Sequence, residues 1–424
     1  MSLLIIADDL SGAADCAIGF ACAGRRTVVT LDSTRAPAGA SAFDVIAADT
    51  DTRRASLDAA ARLTVDTWRA LGGPDRRLYK KIDSTLRGNW AAEIAALQPL
   101  AGLAIVAPAF PAMGRTVRGG RVFVHGQPLE TTDTWQLENA GKHADIAGQL
   151  EGVGLSTAAL EGAALRAAPA ELAGMVAAYA TSGIQALIVD AQTGEDLAAL
   201  ARATVSVDEA LFWVGSGGLA REMASLSRLF SVAQEVPDRS EALTILSHGG
   251  PILALVGTLS AVSDEQCATL RERGAVAELI ASPDMLRAGA GHAQWHTMQA
   301  RIGAHLATQG DLLLRIGRDD AFDPAEGAQL SAALGRLVAP HFGKIGGLIA
   351  TGGETARAML RETGIDFLQL VTGIEPGVAI GQPLDAHQRE GRAHRPGVVT
   401  KAGAFGDGQS LYAAWRHLRD AIPA

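Results

Sequence analysis

A chain of 424 residues with 48% apolar content has the material for two globular cores, which sets aside disordered and fibrous classes. A formal charge of −9 counts against a binder of nucleic-acid backbones, and no run approaches the roughly 20 apolar residues of a bilayer span. Three cysteines, Cys16, Cys22 and Cys267, are too few and too scattered for a disulfide framework or a zinc site, and all three are expected as reduced core thiols.

The N-terminus runs directly into Asp8 and Asp9, which fits neither a secretion signal nor an anchor, so a cytoplasmic protein is expected. Short strand-like apolar runs then alternate with helical patterns. They fall at 3–7, 27–31, 45–48, 78–82, 103–107, 186–189 and 211–214, and again at 252–256, 276–280, 312–316, 348–350 and 398–401. This alternation predicts an α/β protein of two domains, each a mainly parallel sheet flanked by helices, with the active site in the interdomain cleft. Residues 231–251 contain two prolines and the breaker Gly249-Gly250-Pro251, giving domains 1–230 and 252–424 joined by a mobile linker. A hairpin with Gly126 at its turn is expected at 121–129, and the Ala-rich stretch 157–180 reads as a weakly amphipathic helical surface.

In open α/β sheets ligands bind beyond the carboxyl ends of strands, so the turns that follow the apolar runs carry the functional argument. The first turn holds Asp8 and Asp9 before Ser11-Gly12. Adjacent carboxylates repel and point to a cation, a substrate hydroxyl or a proton to take up; the plainer alternative is one helix cap and one solvated acid. A second turn, Lys80 to Asn89, supplies Lys81, Asp83, Ser84, Thr85 and Arg87, with Gly88 allowing close backbone approach. Capping preference alone could produce such a turn, but not its likeness in kind to the first. The loop 108–120, with two prolines and three glycines, is expected to be stiff and to present Arg115 and Arg118, suited to a carboxylate or simply to solvent.

The later turns differ. Gly257-Thr258-Leu259-Ser260, Thr351-Gly352-Gly353-Glu354-Thr355 and the segment from Lys401 through Gly403, Gly406 and Asp407 place small or hydroxylated residues between strand and helix, as phosphate cradles do. Three such turns in one domain, against charged turns in the other, imply a division of labour.

Two other readings compete. The turn at 214–220 fits the G-x-G-x-x-A variant of the dinucleotide fingerprint, which would suit an NAD(P)-dependent dehydrogenase of a small hydroxy acid. Its required acidic partner could only be Glu235, which falls in the linker. Paired α/β lobes also form non-catalytic small-acid-binding proteins, against which stand the absent secretion signal and the many titratable strand-end residues. No Walker motif occurs. His292 and His296 have helical metal-pair spacing but no third ligand, and read as a polar helix face.

Taken together, Ala7-Asp8-Asp9-Leu10-Ser11-Gly12-Ala13, the run Lys81 to Gly88, the loop Pro108 to Thr116, Thr351 to Thr355 and Lys401 to Gly406 resemble the four-carbon acid sugar kinases, in family order over nearly the whole chain. The resemblance implies transfer of phosphate from ATP, with Mg²⁺, to the terminal C4 hydroxyl of threonate, erythronate or 3-oxo-tetronate. It implies a sugar-acid-binding N-terminal domain and a nucleotide-binding C-terminal domain, with ATP contacts at Ser260, at Gly352, Gly353, Glu354 and Thr355, and at Gly403. Thr258 stands where serine is common, and Ala402 and Ala404 replace residues that are often Ser or Gly in that family. The partners expected are the sugar acid and ATP, with neither nucleic acid nor membrane and with room for a homo-oligomer. On this reading Arg87, Lys81 or Arg115 holds the substrate carboxylate and Asp8, Asp83 and Ser84 bond its hydroxyls. Asp9 is the expected base, with Asp407 as the alternative or as a water-mediated Mg²⁺ ligand.

Overall fold

Strand β1 (Ser2–Ala7) is buried from Leu3 to Ala7, as befits a parallel strand covered by helices on both faces. The computed structural model describes residues 2–139, 143–230, 249–319, 323, 326–384, 387–389, 392–403 and 405–421. The chain divides into two compact units, residues 1–236 and 237–424. The expected linker 231–251 lies outside the described residues except for its last three, and Glu235 and Ala404 also lie outside them.

The first unit continues with β2 (Thr27–Thr30), β3 (Val45–Asp49), β4 (Arg76–Lys81), β5 (Leu103–Ala107), β6 (Arg115–Arg118), β7 (Arg121–Val124), β8 (Gln127–Pro128), β9 (Thr157–Leu160), β10 (Ala186–Val189) and β11 (Leu211–Gly215). Its parallel sheet runs β2-β3-β1-β4-β11-β5-β10-β9. The chain leaves β1 for β2 and β3 on one side, then crosses to β4 on the other, so the topological switch point lies between β1 and β4. Their register sets Ala7 opposite Lys81, which puts the turns after these two strands side by side. Successive strand residues face opposite ways. Lys80 accordingly pairs with Glu93 of the helix Trp90–Ala101 at 2.9 Å, while Lys81 lies against Gly12 of the helix Leu10–Cys22.

Strands β6, β7 and β8 form a separate antiparallel sheet. The expected hairpin is present with Gly126 at φ +82°. Arg115 and Arg118, however, belong to a strand rather than a stiff loop: after one 3-10 turn at Pro111–Met113, Arg115 to Arg118 pair with Val124 to Arg121. The Ala-rich stretch also departs from expectation. Residues Thr157–Leu160 form an edge strand paired with β10, a single 3-10 turn follows at Ala164–Arg166, and the α-helix is confined to Pro169–Thr181. Alanine favours helix locally, and the edge position beside β10 overrides it.

The second unit comprises β12 (Ile252–Val256), β13 (Ala277–Ala281), β14 (Leu312–Ile316), β15 (Gly347–Thr351), β16 (Phe367–Glu375), β17 (Val378–Pro383), the small pair β18 (His387–Arg389) and β19 (Arg392–His394), and β20 (Gly397–Lys401). The order β13-β14-β12-β15-β20-β17-β16 is parallel through β20 and antiparallel beyond it. Strands β16 and β17 have no counterpart in the apolar runs, because β16 is only half-buried over its second half and β17, though buried, passes from Val378-Ala379-Ile380 into Gly381-Gln382-Pro383. One core face packs Ile252, Ala254, Val256, Ile349 and Val399 against the helices Ala261–Gly274 and Ser410–Ala421. Here too the chain reverses direction across the sheet, between β12 and β15.

Two smaller expectations change. Cys16 and Cys267 are buried free thiols, but Cys22 ends its helix and is exposed. His292 precedes the helix Trp295–Ala307 and contacts Asp284 at 3.2 Å, so it shares no helix face with His296. Among the described residues no group of three His, Cys, Asp or Glu side chains is placed to hold a metal, and no helix is long and apolar enough to cross a membrane.

Candidate functional site

At the first switch point the paired carboxylates share a partner that the strand-end reading did not examine. Arg53, four residues beyond β3, donates from Nε and Nη2 to Asp8 (2.8 and 2.9 Å) and from Nη1 and Nη2 to Asp9 (3.1 and 3.0 Å). Asp9 Oδ1 also caps the helix Leu10–Cys22 by accepting from Gly12 N at 3.0 Å. The Arg53 segment is stitched to the end of β1, since Thr52 N and Arg53 N both donate to Asp8 O. Asn89 Nδ2 ties the same segment to the next helix through Thr52 O and Ala55 O at 2.9 and 2.8 Å. Burial opposes the charge of Asp8, yet the Arg53 guanidinium, helped by Lys80 and Lys81, holds its carboxyl below the usual carboxylate range.

The turn after β4 completes this cluster. Asp83 is buried and accepts from Arg87 Nε at 2.7 Å and from the Thr85 hydroxyl. Burial again works against its charge, but Arg87, then Arg53 and Lys81, hold it well below the ordinary value. Gly88 has φ +83°, and a Cβ there would stand 2.8 Å from Asp8 Oδ2, so only glycine lets the two turns meet. Ser84 is buried in the same turn. Arg115 enters from β6, where burial lowers its pKa while the Asp83 carboxylate opposes that shift. The structure therefore brings Asp8, Asp9 and Asp83 to Arg53, with Lys81 beside Asp8 and Asp83, Arg87 on Asp83, Arg115 near Asp83 and Ser84 buried in the same turn. The signal for Arg53 was available, because applying the strand-end rule to β3 leads straight to Asp49-Thr50-Asp51-Thr52-Arg53.

In the second unit three turns converge on one hydroxyl. A Cβ on Gly352 would lie 2.9 Å from Thr258 Oγ1, and one on Gly403 would collide with the same atom. Gly352 has φ +96° and immediately precedes the helix Gly353–Glu362, whose first turn contains Glu354 and the buried Thr355. Thr355 Oγ1 lies 3.1 Å from Ser331 Oγ and leaves no room for a Cβ on Gly257. Ser260 caps the helix Ala261–Gly274 by accepting from Ser263 N at 3.2 Å, and Ser263 Oγ in turn donates to Gly403 O at 3.2 Å. Thr258, Ser260, Gly352, Gly353, Glu354, Thr355 and Gly403 thus surround adjoining helix N-termini, where amide groups and helix dipoles favour an anion.

Asp407 sits at the rim of this arrangement. It is exposed, and its Oδ1 accepts from Gln409 N at 2.8 Å just before the helix Ser410–Ala421. Gly406, at φ +83°, lies where a Cβ would meet Ser410 Oγ and Glu375 Oε1. Gln266 Nε2 fixes the turn by donating to Asp407 O at 2.7 Å.

The dinucleotide-like turn serves packing instead. A Cβ on Gly215 would lie 2.6 Å from Tyr79 Oη, one on Gly218 2.5 Å from Ala109 O, and one on Gly217 would strike Asp15. The Ser216 hydroxyl donates to Ala109 O at 2.7 Å. These glycines accept protein atoms where a pyrophosphate would need to approach.

Comparison with known proteins agrees with this partition. Residues 3–223 match the family model of a sugar-binding N-terminal domain, and residues 253–411 that of a nucleotide-binding C-terminal domain. A D-threonate kinase of Cupriavidus necator is 52% identical over 420 residues, covering 99% of both chains. A D-threonate kinase of Bordetella bronchiseptica is 32% identical over 430 residues, covering 98% of this chain and 97% of its own. A solved structure from Salmonella typhimurium LT2 shares the fold at a TM-score of 0.79 and 20% identity, covering 98% of this chain and 99% of that one. With both domain models matched in order and the identity sustained from end to end, the chain belongs to the four-carbon acid sugar kinase family.

Proposed function

We propose that this protein phosphorylates the terminal C4 hydroxyl of D-threonate, using ATP. The observation that carries the reading is the 52% identity to a D-threonate kinase over the whole chain, joined to a charged cluster at one switch point and an anion cradle at the other.

Phosphoryl transfer through a loose transition state asks mainly for alignment and charge neutralisation. The carboxylate of the acid is held by Lys81, Arg87 or Arg115, the cations that lie about Asp83. Asp8 and Asp83, kept ionised, accept from the substrate hydroxyls together with Ser84. Asp9 takes the proton of the C4 hydroxyl as its oxygen bonds to the γ-phosphorus and the bond to the β,γ-bridging oxygen breaks, releasing ADP. Mg²⁺ accompanying the triphosphate needs few protein ligands. Asp407, exposed beside the Gly403 turn, would hold that ion through water, and the ion would neutralise charge on the phosphates.

The test is a coupled ADP-release assay with a panel of four-carbon acids, with NADH formation followed in parallel. ADP release with D-threonate in preference to erythronate and L-threonate is expected. NADH formation, or no ADP release with any acid, would overturn the reading.

A further inference from the structure

The Lys401 ammonium, at the end of β20, is fully buried and donates to two consecutive carbonyls, Ala402 O at 3.1 Å and Gly403 O at 3.3 Å. Gly403 O receives a second donor, Ser263 Oγ, at 3.2 Å. On the Cα side of the same residue lies Thr258 Oγ1, the hydroxyl on which the three turns converge. We propose, resting on the kinase reading above, that Lys401 is a positioning residue for the nucleotide: its buried ammonium holds the carbonyl oxygens of the Gly403 turn inward, away from the phosphates.

A carbonyl oxygen turned toward a triphosphate would repel it, and a glycine turn has little intrinsic resistance to such a flip. Two donors, one of them charged, supply that resistance. A buried cation is costly unless compensated, so its retention calls for a reason. The groups that face it are Glu375 of β16 and Cys267 of the helix Ala261–Gly274. Burial pushes Lys401 down to about 8, against the pull of Glu375. Glu375 Oε1 is itself buried with no hydrogen-bond partner among the described residues. The same ammonium adds positive potential beneath the cradle.

The experiment compares wild type with Lys401→Met, measuring KM for ATP, KM for the sugar acid, and the Kd of MgADP by calorimetry. Loss of a charge-assisted bond should raise KM for ATP and the ADP Kd about tenfold or more, with KM for the acid within about twofold. Between about pH 7 and about pH 9 the wild-type ADP Kd should weaken as Lys401 loses its proton, whereas the variant should show no such weakening. Ser263→Ala removes the other donor without burying or removing a charge. It should shift KM for ATP in the same direction by about threefold, keeping the test open if Lys401→Met does not fold. Unchanged nucleotide constants in folded variants, or equal rises in both KM values, would overturn the proposal. Wild-type protein that fails to release ADP with any of the acids would overturn the kinase reading instead.

Discussion

The carboxylate of Asp9 accepts one bond from a helix amide and two from Arg53, so its structural and chemical parts can be separated by substitution. Asparagine retains a side-chain oxygen for the cap, and caps about as well as aspartate. Asp9→Asn should therefore keep the fold while turnover in the ADP-release assay drops at least about 10²-fold, with KM for ATP nearly unchanged. Normal turnover would remove Asp9 from the base role. The two acids were legible in the sequence because repelling neighbours at a strand end demand a partner. Arg53 is findable as a residue beyond the end of β3, but that it pairs with these two acids is not, since more than forty residues separate it from them. Chain folding, not local pattern, delivers it. Lys80 and Lys81 make the same point: strand alternation sends one into an ion pair with Glu93 and leaves the other beside the acids.

At the scale of elements, the turn after β20 depends on a glycine that touches the turn after β12. Gly403→Val would place a branched side chain against the Thr258 hydroxyl and push the two turns apart. Misplacement of about 1 Å in a binding turn can cost about 10²-fold, so KM for ATP should rise by about 10-fold to 10²-fold, with KM for the acid held. An unchanged KM for ATP would take this turn out of the nucleotide site. The parallel strands that build these turns announced themselves as largely apolar runs, because burial on both faces leaves few polar positions. Strand β9 and the hairpin of β16 and β17 did not, for opposite reasons. The alanines of β9 favour helix locally and take up strand beside β10, and β16 is only half buried, so neither carries the doubly buried pattern.

Across the whole molecule, buried ionised acids link folding to pH. Asp8 and Asp83 have folded-state pKa values below those of an unfolded chain, so their stabilisation is fully present above about pH 4 and is lost as pH falls through the folded values. Replacing Arg53 by Met leaves burial, the largest influence on Asp8, without its main opponent. Urea unfolding followed by circular dichroism should then show the variant less stable than wild type at pH 7, with the difference shrinking below about pH 4, where protonation removes the buried charge that Arg53 no longer offsets. A difference that stays constant as pH falls would show that Arg53 is not what keeps Asp8 ionised. The amino-acid sequence by itself determined the alternation of strands and helices, the chemistry carried at each strand end, and the contrast between charged and glycine-rich turns, because each is written in contiguous residues. Only the tertiary structure decided which turns adjoin, that Arg53 stands between Asp8 and Asp9, and that the dinucleotide-like glycines pack against protein. Strand order places a switch point by non-local pairing, and no local pattern encodes which distant segment will arrive there.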